Sequence, residues 1–138
     1  FCNTGIECEV TERLTWARWR KLMWNLTFNG LSVILDSSTD KIMKHPHSRA
    51  LAKSILNEVR QTATNCGHFI EPEFVDYMME HTDEMVPYDS SMRLDYKAKR
   101  PMEVEVIYGN AIRAAAKHGV KAPIIESMYR ELHFLADR

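Results

Sequence analysis

At 138 residues, with 45% hydrophobic and 27% charged side chains, the chain suits one domain with a core of its own and is too ordinary in composition for disorder. Its formal net charge is -1, and its basic residues are scattered among acidic ones, which excludes the electrostatic footprint of a nucleic-acid binder. No apolar run approaches the roughly 20 residues that cross a bilayer and no signal sequence opens the chain, so no membrane partner and a cytoplasmic location are expected.

The first ten residues contain Gly5, read as strand-like and start from Phe1 rather than Met. Residues 1–10 are therefore expected to be a linker or the end of a preceding domain, with 11–138 as one helical domain. Cys2, Cys8 and Cys66 are odd in number and lack C-x-x-C spacing, which predicts reduced thiols.

Residues 15–35 predict a helix. Trp16, Trp19, Leu22, Met23, Trp24, Leu26, Phe28, Leu31, Ile34 and Leu35 cover most of its circumference, the mark of a central element. A Ser-Ser-Thr-Asp cluster at 37–40 supplies capping chemistry for a short segment at 41–45, and Pro46 opens the next helix. That helix, 47–66, carries Leu51, Ile55, Val59 and Ala63 at four-residue steps and meets Gly67. Pro72 opens another over 74–85, which Pro87 ends. A short helix over 89–99 follows, then a longer one that Pro101 opens and Gly119 closes. The last helix, after Pro123, presents Ile125, Met128, Leu132 and Leu135 on one face. Strand patterning is confined to the first ten residues and a weak trace at 104–107, so the expected fold is all-α, a single bundle of six or seven helices.

The first long helix also carries a polar stripe: Lys21, Asn25, Asn29 and Ser32. At roughly 100° per residue these fall within an arc of about 80°. On most amphipathic helices such a stripe faces solvent. Solvent stripes usually use good helix formers, however, and each mid-helix asparagine costs some tenths of a kcal/mol relative to alanine. Binding of a small polar acid would offset that cost, because one ammonium and two amides a turn apart offer fixed donors and acceptors. A lysine whose surroundings lower its pKa can also act as a general acid.

A second constellation runs from Ser90-Ser91-Met92-Arg93-Leu94-Asp95 through Lys99-Arg100-Pro101-Met102-Glu103-Val104-Glu105 to Gly109-Asn110. Read by residue type alone, Ser91 is a cap or turn residue, Asp95 a surface acid, and Glu103 and Glu105 acids of a helix's first turn. The six histidines include no H-x-x-x-H pair and no matched cysteines, so no metal site is expected. Neither G-x-G-x-x-G nor G-x-x-x-x-G-K-[ST] occurs, so any nucleotide would be held mainly by another domain.

The stretch Arg18-Trp19-Arg20-Lys21-Leu22-Met23-Trp24-Asn25, with Asn29 one turn on, resembles the start of the C-terminal domain of ketopantoate reductases (2-dehydropantoate 2-reductases). Ser91-Met92, Asp95, Arg100-Pro101-Met102-Glu103 and Gly109-Asn110 resemble that family's second motif, and Gly119 to Pro123 with Met128-Tyr129 its closing segment. The resemblance implies a helical domain of the 6-phosphogluconate dehydrogenase C-terminal-like type. It also implies an N-terminal Rossmann domain that binds NADPH, a cleft between the two, and reduction of a small 2-keto acid, ketopantoate, to pantoate in pantothenate (coenzyme A) biosynthesis. Carried over by position, Lys21 is similar to the family's general acid and Glu103 to its acidic partner; Asn25, Asn29, Ser91 and Asp95 are similar to substrate-binding residues. By the same resemblance this segment alone is inactive.

The chain departs from the commonest pattern with Arg93 and Leu94 before Asp95, and with Met102-Glu103-Val104-Glu105 where Thr-Glu-Ile-Asp is frequent. Another small keto acid is therefore an alternative substrate, and the Lys-x-x-x-Asn pair also resembles the related β-hydroxyacid dehydrogenases. A non-catalytic helical interaction domain is the competing reading. The apolar faces of the first and last helices leave a homodimer open.

Overall fold

The computed structural model describes residues 5–87 and 89–137, with side chains from residue 14 onward. The described residues contain no strand and form seven continuous helices. The first, α1, runs over 5–34 as an α-helical stretch Gly5–Trp24, a π-helical turn Asn25–Asn29 and an α-helical end Gly30–Ile34. The backbone stays helical at both junctions, Trp24 and Gly30, so this is one rod with a wide turn in it. Then follow α2 (Thr39–Lys44), α3 (Pro46–Asn65), α4 (Glu73–Glu84) and α5 (Ser91–Lys97). Helix α6 covers 104–117 and opens on a second π turn, Glu105–Gly109, before Asn110–Lys117; α7 is Pro123–Ala136.

Three sequence expectations change. Residues 5–10 are helical rather than strand-like; 1–4 lie outside the described residues. Pro101 does not open a helix: 101–103 are irregular and α6 starts at 104, with the Glu103 carbonyl accepting from the Ile107 N–H at 3.2 Å. Ser32 leaves the polar stripe. The π turn holds one residue more than an α turn, so positions beyond it lag by about one step, roughly 100°, and Ser32 turns into the core.

Helix α1 is central because it is apolar on nearly every side. Every residue from 26 to 33 is buried, and the second half of the rod packs on α3, α5, α6 and α7. Helix α3 presents Ala52, Ile55, Leu56, Val59 and Ala63 to α1, α4 and α7. No helix among the described residues is long and apolar enough to cross a membrane.

Candidate active site

One side of α1 meets the start of α5 and the start of α6 around a cavity of about 570 Å³. Helix α1 lines it with Thr15, Arg18, Trp19, Lys21, Leu22, Asn25 and Asn29. Helix α5 contributes Ser91, and the start of α6 contributes Glu103, Val106, Ile107 and Asn110. Five of the six site residues expected from sequence, Lys21, Asn25, Asn29, Ser91 and Glu103, are thus brought together from positions as distant as 21 and 103.

Local physics explains how each is held. In a regular α-helix every four-residue step drifts about 40°. The wider turn at Asn25–Asn29 takes out part of that drift, which keeps Asn29 in line with Lys21 and Asn25 at the cavity. Ser91 is the first residue of α5, and its neighbour Ser90 fixes that end: the Ser90 side chain accepts from the Arg93 N–H at 3.1 Å and shares a 2.6 Å hydrogen bond with Ser32 Oγ, both serines being fully buried. Arg93 then ties α5 to Asp89 and to Asp36, which closes α1. Glu103 sits where the chain enters α6.

The electrostatics favour an anionic ligand. Arg18 and Lys21 stand against Glu103 as the charged groups of the lining. Among the described residues, none of the Lys21 ammonium, the Asn25 and Asn29 carboxamides, the Ser91 hydroxyl and the Glu103 carboxylate is taken up by another side chain. A polar set that the protein leaves unpaired at one cavity is what ligand recognition requires. Trp19, Leu22, Val106 and Ile107 give the same cavity an apolar wall, with Val106 60% exposed.

Asp95 is not brought to this cavity. Its carboxylate accepts from Arg100 Nε at 2.9 Å and its carbonyl from the Arg100 N–H at 2.8 Å, so the residue closes the turn after α5. Conversely, Arg18, Asn110 and the apolar wall line the site without having been singled out for it. Helical spacing carries a signal for them: 18, 22 and 25 share a face with 21 and 29, and 106, 107 and 110 stand at helical steps from Glu103.

Beside the cavity, Glu105 joins α6 to α7. It accepts from Tyr129 Oη at 2.5 Å, pairs with Arg113 at 3.0 Å, and meets His133 Nε2 at 2.6 Å. These three partners, the tyrosine hydroxyl first, hold its carboxyl down at about 2. The Arg113 fork also takes the Asn110 carboxamide oxygen at 2.6 Å, which leaves the Asn110 amide hydrogens for the cavity.

Comparisons with known proteins agree on the fold and on its lineage. Residues 13–136 match the family described as ketopantoate reductase PanE/ApbA, C-terminal. A 2-dehydropantoate 2-reductase of Nostoc sp. is 41% identical over 138 residues, which is 100% of this chain and 43% of that protein. The crystal structure of 2-dehydropantoate 2-reductase from Methylococcus capsulatus superposes with a TM-score of 0.82 at 37% identity, covering 88% of this chain and 42% of that one. A D-mandelate dehydrogenase solved with NADH and anilino(oxo)acetate superposes at 0.80 with 26% identity, covering 89% and 41%. The chain therefore spans less than half the length of the relatives it matches.

Proposed function

Because the chain belongs to the C-terminal family of the ketopantoate reductases, we propose that it supplies the substrate half of an NADPH-dependent 2-dehydropantoate 2-reductase, with a Rossmann domain of the same protein as its partner. The observation that carries this reading is the unpaired set of Lys21, Asn25, Asn29, Ser91 and Glu103 around one cavity. The residues present fit the keto-acid end of the reaction and not the phosphate end of a dinucleotide, since the chain carries no glycine-rich phosphate loop. The nicotinamide, when bound, supplies the hydride.

This chain's residues then do the rest. The ketone oxygen lies against Lys21, whose ammonium stabilises the negative charge that develops there and gives up a proton to it, so that C=O becomes CH–OH. Asn25 and Asn29 orient the acid from the neighbouring turn, and the Ser91 hydroxyl adds a further donor. Glu103 faces the substrate hydroxyl from the opposite wall. Trp19, Leu22, Val106 and Ile107 take the aliphatic part and exclude water from that side.

A second reading, reduction of another small 2-keto acid, is favoured by the size of the apolar wall and by the likeness to a D-mandelate dehydrogenase. Steady-state assays of the full-length protein with NADPH and a panel of 2-keto acids separate the two. Preference for 2-dehydropantoate supports the first, preference for an aryl or unbranched keto acid supports the second, and turnover of none of them rejects both.

A further inference from the structure

The two π turns touch each other, and one side chain joins them. Tyr108, in the turn of α6, is fully buried and donates its hydroxyl to the Leu26 carbonyl, in the turn of α1. The Gly30 amide lies against the same oxygen, while its N–H turns to the Thr27 carbonyl. In an α-helix the Gly30 N–H would bond to Leu26 O, four residues back. Tyr108 Oη thus sits in the gap between the two groups that would otherwise close an α turn, which is one of the few known causes of a local break in the helical ladder. A Cβ at position 30 would overlap the Tyr108 hydroxyl, so glycine is what admits the wedge.

The geometry points to Tyr108 as a positioning residue: its hydroxyl wedges the Asn25–Asn29 turn open and so sets the angular register that brings Asn29 and Lys21 to one cavity. Closing that turn would move the residues on its two sides by about one position, roughly 100°, relative to each other. Asn29, which the wider turn keeps in line with Lys21, would then stand about 80° round the rod from it, two drifts of about 40°. A misplacement of that kind costs catalysis without removing any group that touches the substrate.

This inference rests on the keto-acid reading of the cavity for its kinetic consequence but not for its structural one, and the test has an arm for each. In the full-length protein, Tyr108→Phe keeps the ring and removes only the hydroxyl. A crystal structure of this variant is expected to show the Gly30 N–H bonded to Leu26 O and Asn29 rotated out of line with Lys21. An unchanged π turn overturns the proposal, as does a variant that fails to fold, which would make Tyr108 simply structural. In steady-state assays with the preferred keto acid, Tyr108→Phe is expected to lower kcat/KM about tenfold, with KM for NADPH unchanged. Combined with Asn29→Ala it should lower kcat/KM no further than Asn29→Ala alone, because both act through one group. Losses that multiply overturn the proposal. Failure of every keto acid to react rejects the functional reading alone, and the crystallographic arm still decides the wedge.

Discussion

Glu58, on α3, accepts the backbone N–H of Ile125 at 2.6 Å, and with its other oxygen that of Ile124 at 3.1 Å. A carboxylate from one helix thereby caps the start of another, since Pro123 at the first position of α7 has no N–H to offer and Ala122 makes no side-chain cap. Glu58→Ala should lower stability by about 1–2 kcal/mol, the usual cost of a lost cap. Glu58→Gln, which keeps one acceptor oxygen, should lose less. Denaturant unfolding of the full-length protein, followed at the transition of this domain, checks the order; equal stability of the three proteins would show that the cap does not hold α7 in place.

Gly30 makes a second stability prediction. Because a methyl group there would collide with the Tyr108 hydroxyl and with Met128 Cε, Gly30→Ala should destabilise by roughly 1–3 kcal/mol, although alanine is the better helix former. Pairing it with Tyr108→Phe should recover part of the loss. Thermal unfolding of the two variants and their combination gives the answer, and a stabilised Gly30→Ala protein would contradict the close approach.

Much of the fold could be read from the residues, and the reasons are local. Apolar residues all round 16–35 marked the central helix, four-residue steps from Leu51 to Ala63 marked α3, and Gly67 and Gly119 ended helices where the backbone takes positive φ. The π turns could not be read this way, because an apolar pattern counted at 3.6 residues per turn has no place for an inserted residue. At the first of them the wedge is a tyrosine 82 residues along the chain from the carbonyl it bonds. The same insertion removed Ser32 from the stripe. Asp95 was assigned by its place in a motif, whereas its side chain is engaged by Arg100, a contact that motif position does not encode.

That difference for Asp95 is testable. Because Asp95 is a half-buried ion-pair partner outside the cavity, Asp95→Asn should change kcat/KM for the keto acid by less than about threefold. Asn25→Ala, at the cavity, should cost on the order of tenfold or more, since it removes a hydrogen bond to the bound acid. Kinetics of both variants at saturating NADPH discriminate, and a large loss in Asp95→Asn would return that residue to the site.

Glu105 gives the pH dependence. Its folded-state carboxyl is held at about 2 against an ordinary 4.5, through Tyr129 first, then Arg113 and His133. A depressed acid contributes its stabilisation fully above the unfolded value and loses it as pH falls through the folded one. Wild type should therefore exceed Glu105→Gln in stability at neutral pH, with the gap closing between about pH 4.5 and 2. The group is solvent-exposed, so the gap is small. Unfolding midpoints measured across that range test it; a gap that grows on acidification would contradict the sign.

The most direct test concerns the lysine. In the full-length protein, Lys21→Ala should bind NADPH normally and keep its fold while kcat for the keto acid falls by about 10²–10⁴, the range that general acid catalysis spans. A Lys21→Ala enzyme that turns over at the wild-type rate would contradict the assignment of the ammonium as proton donor, and with it the reading of the cavity as the place where the ketone is reduced.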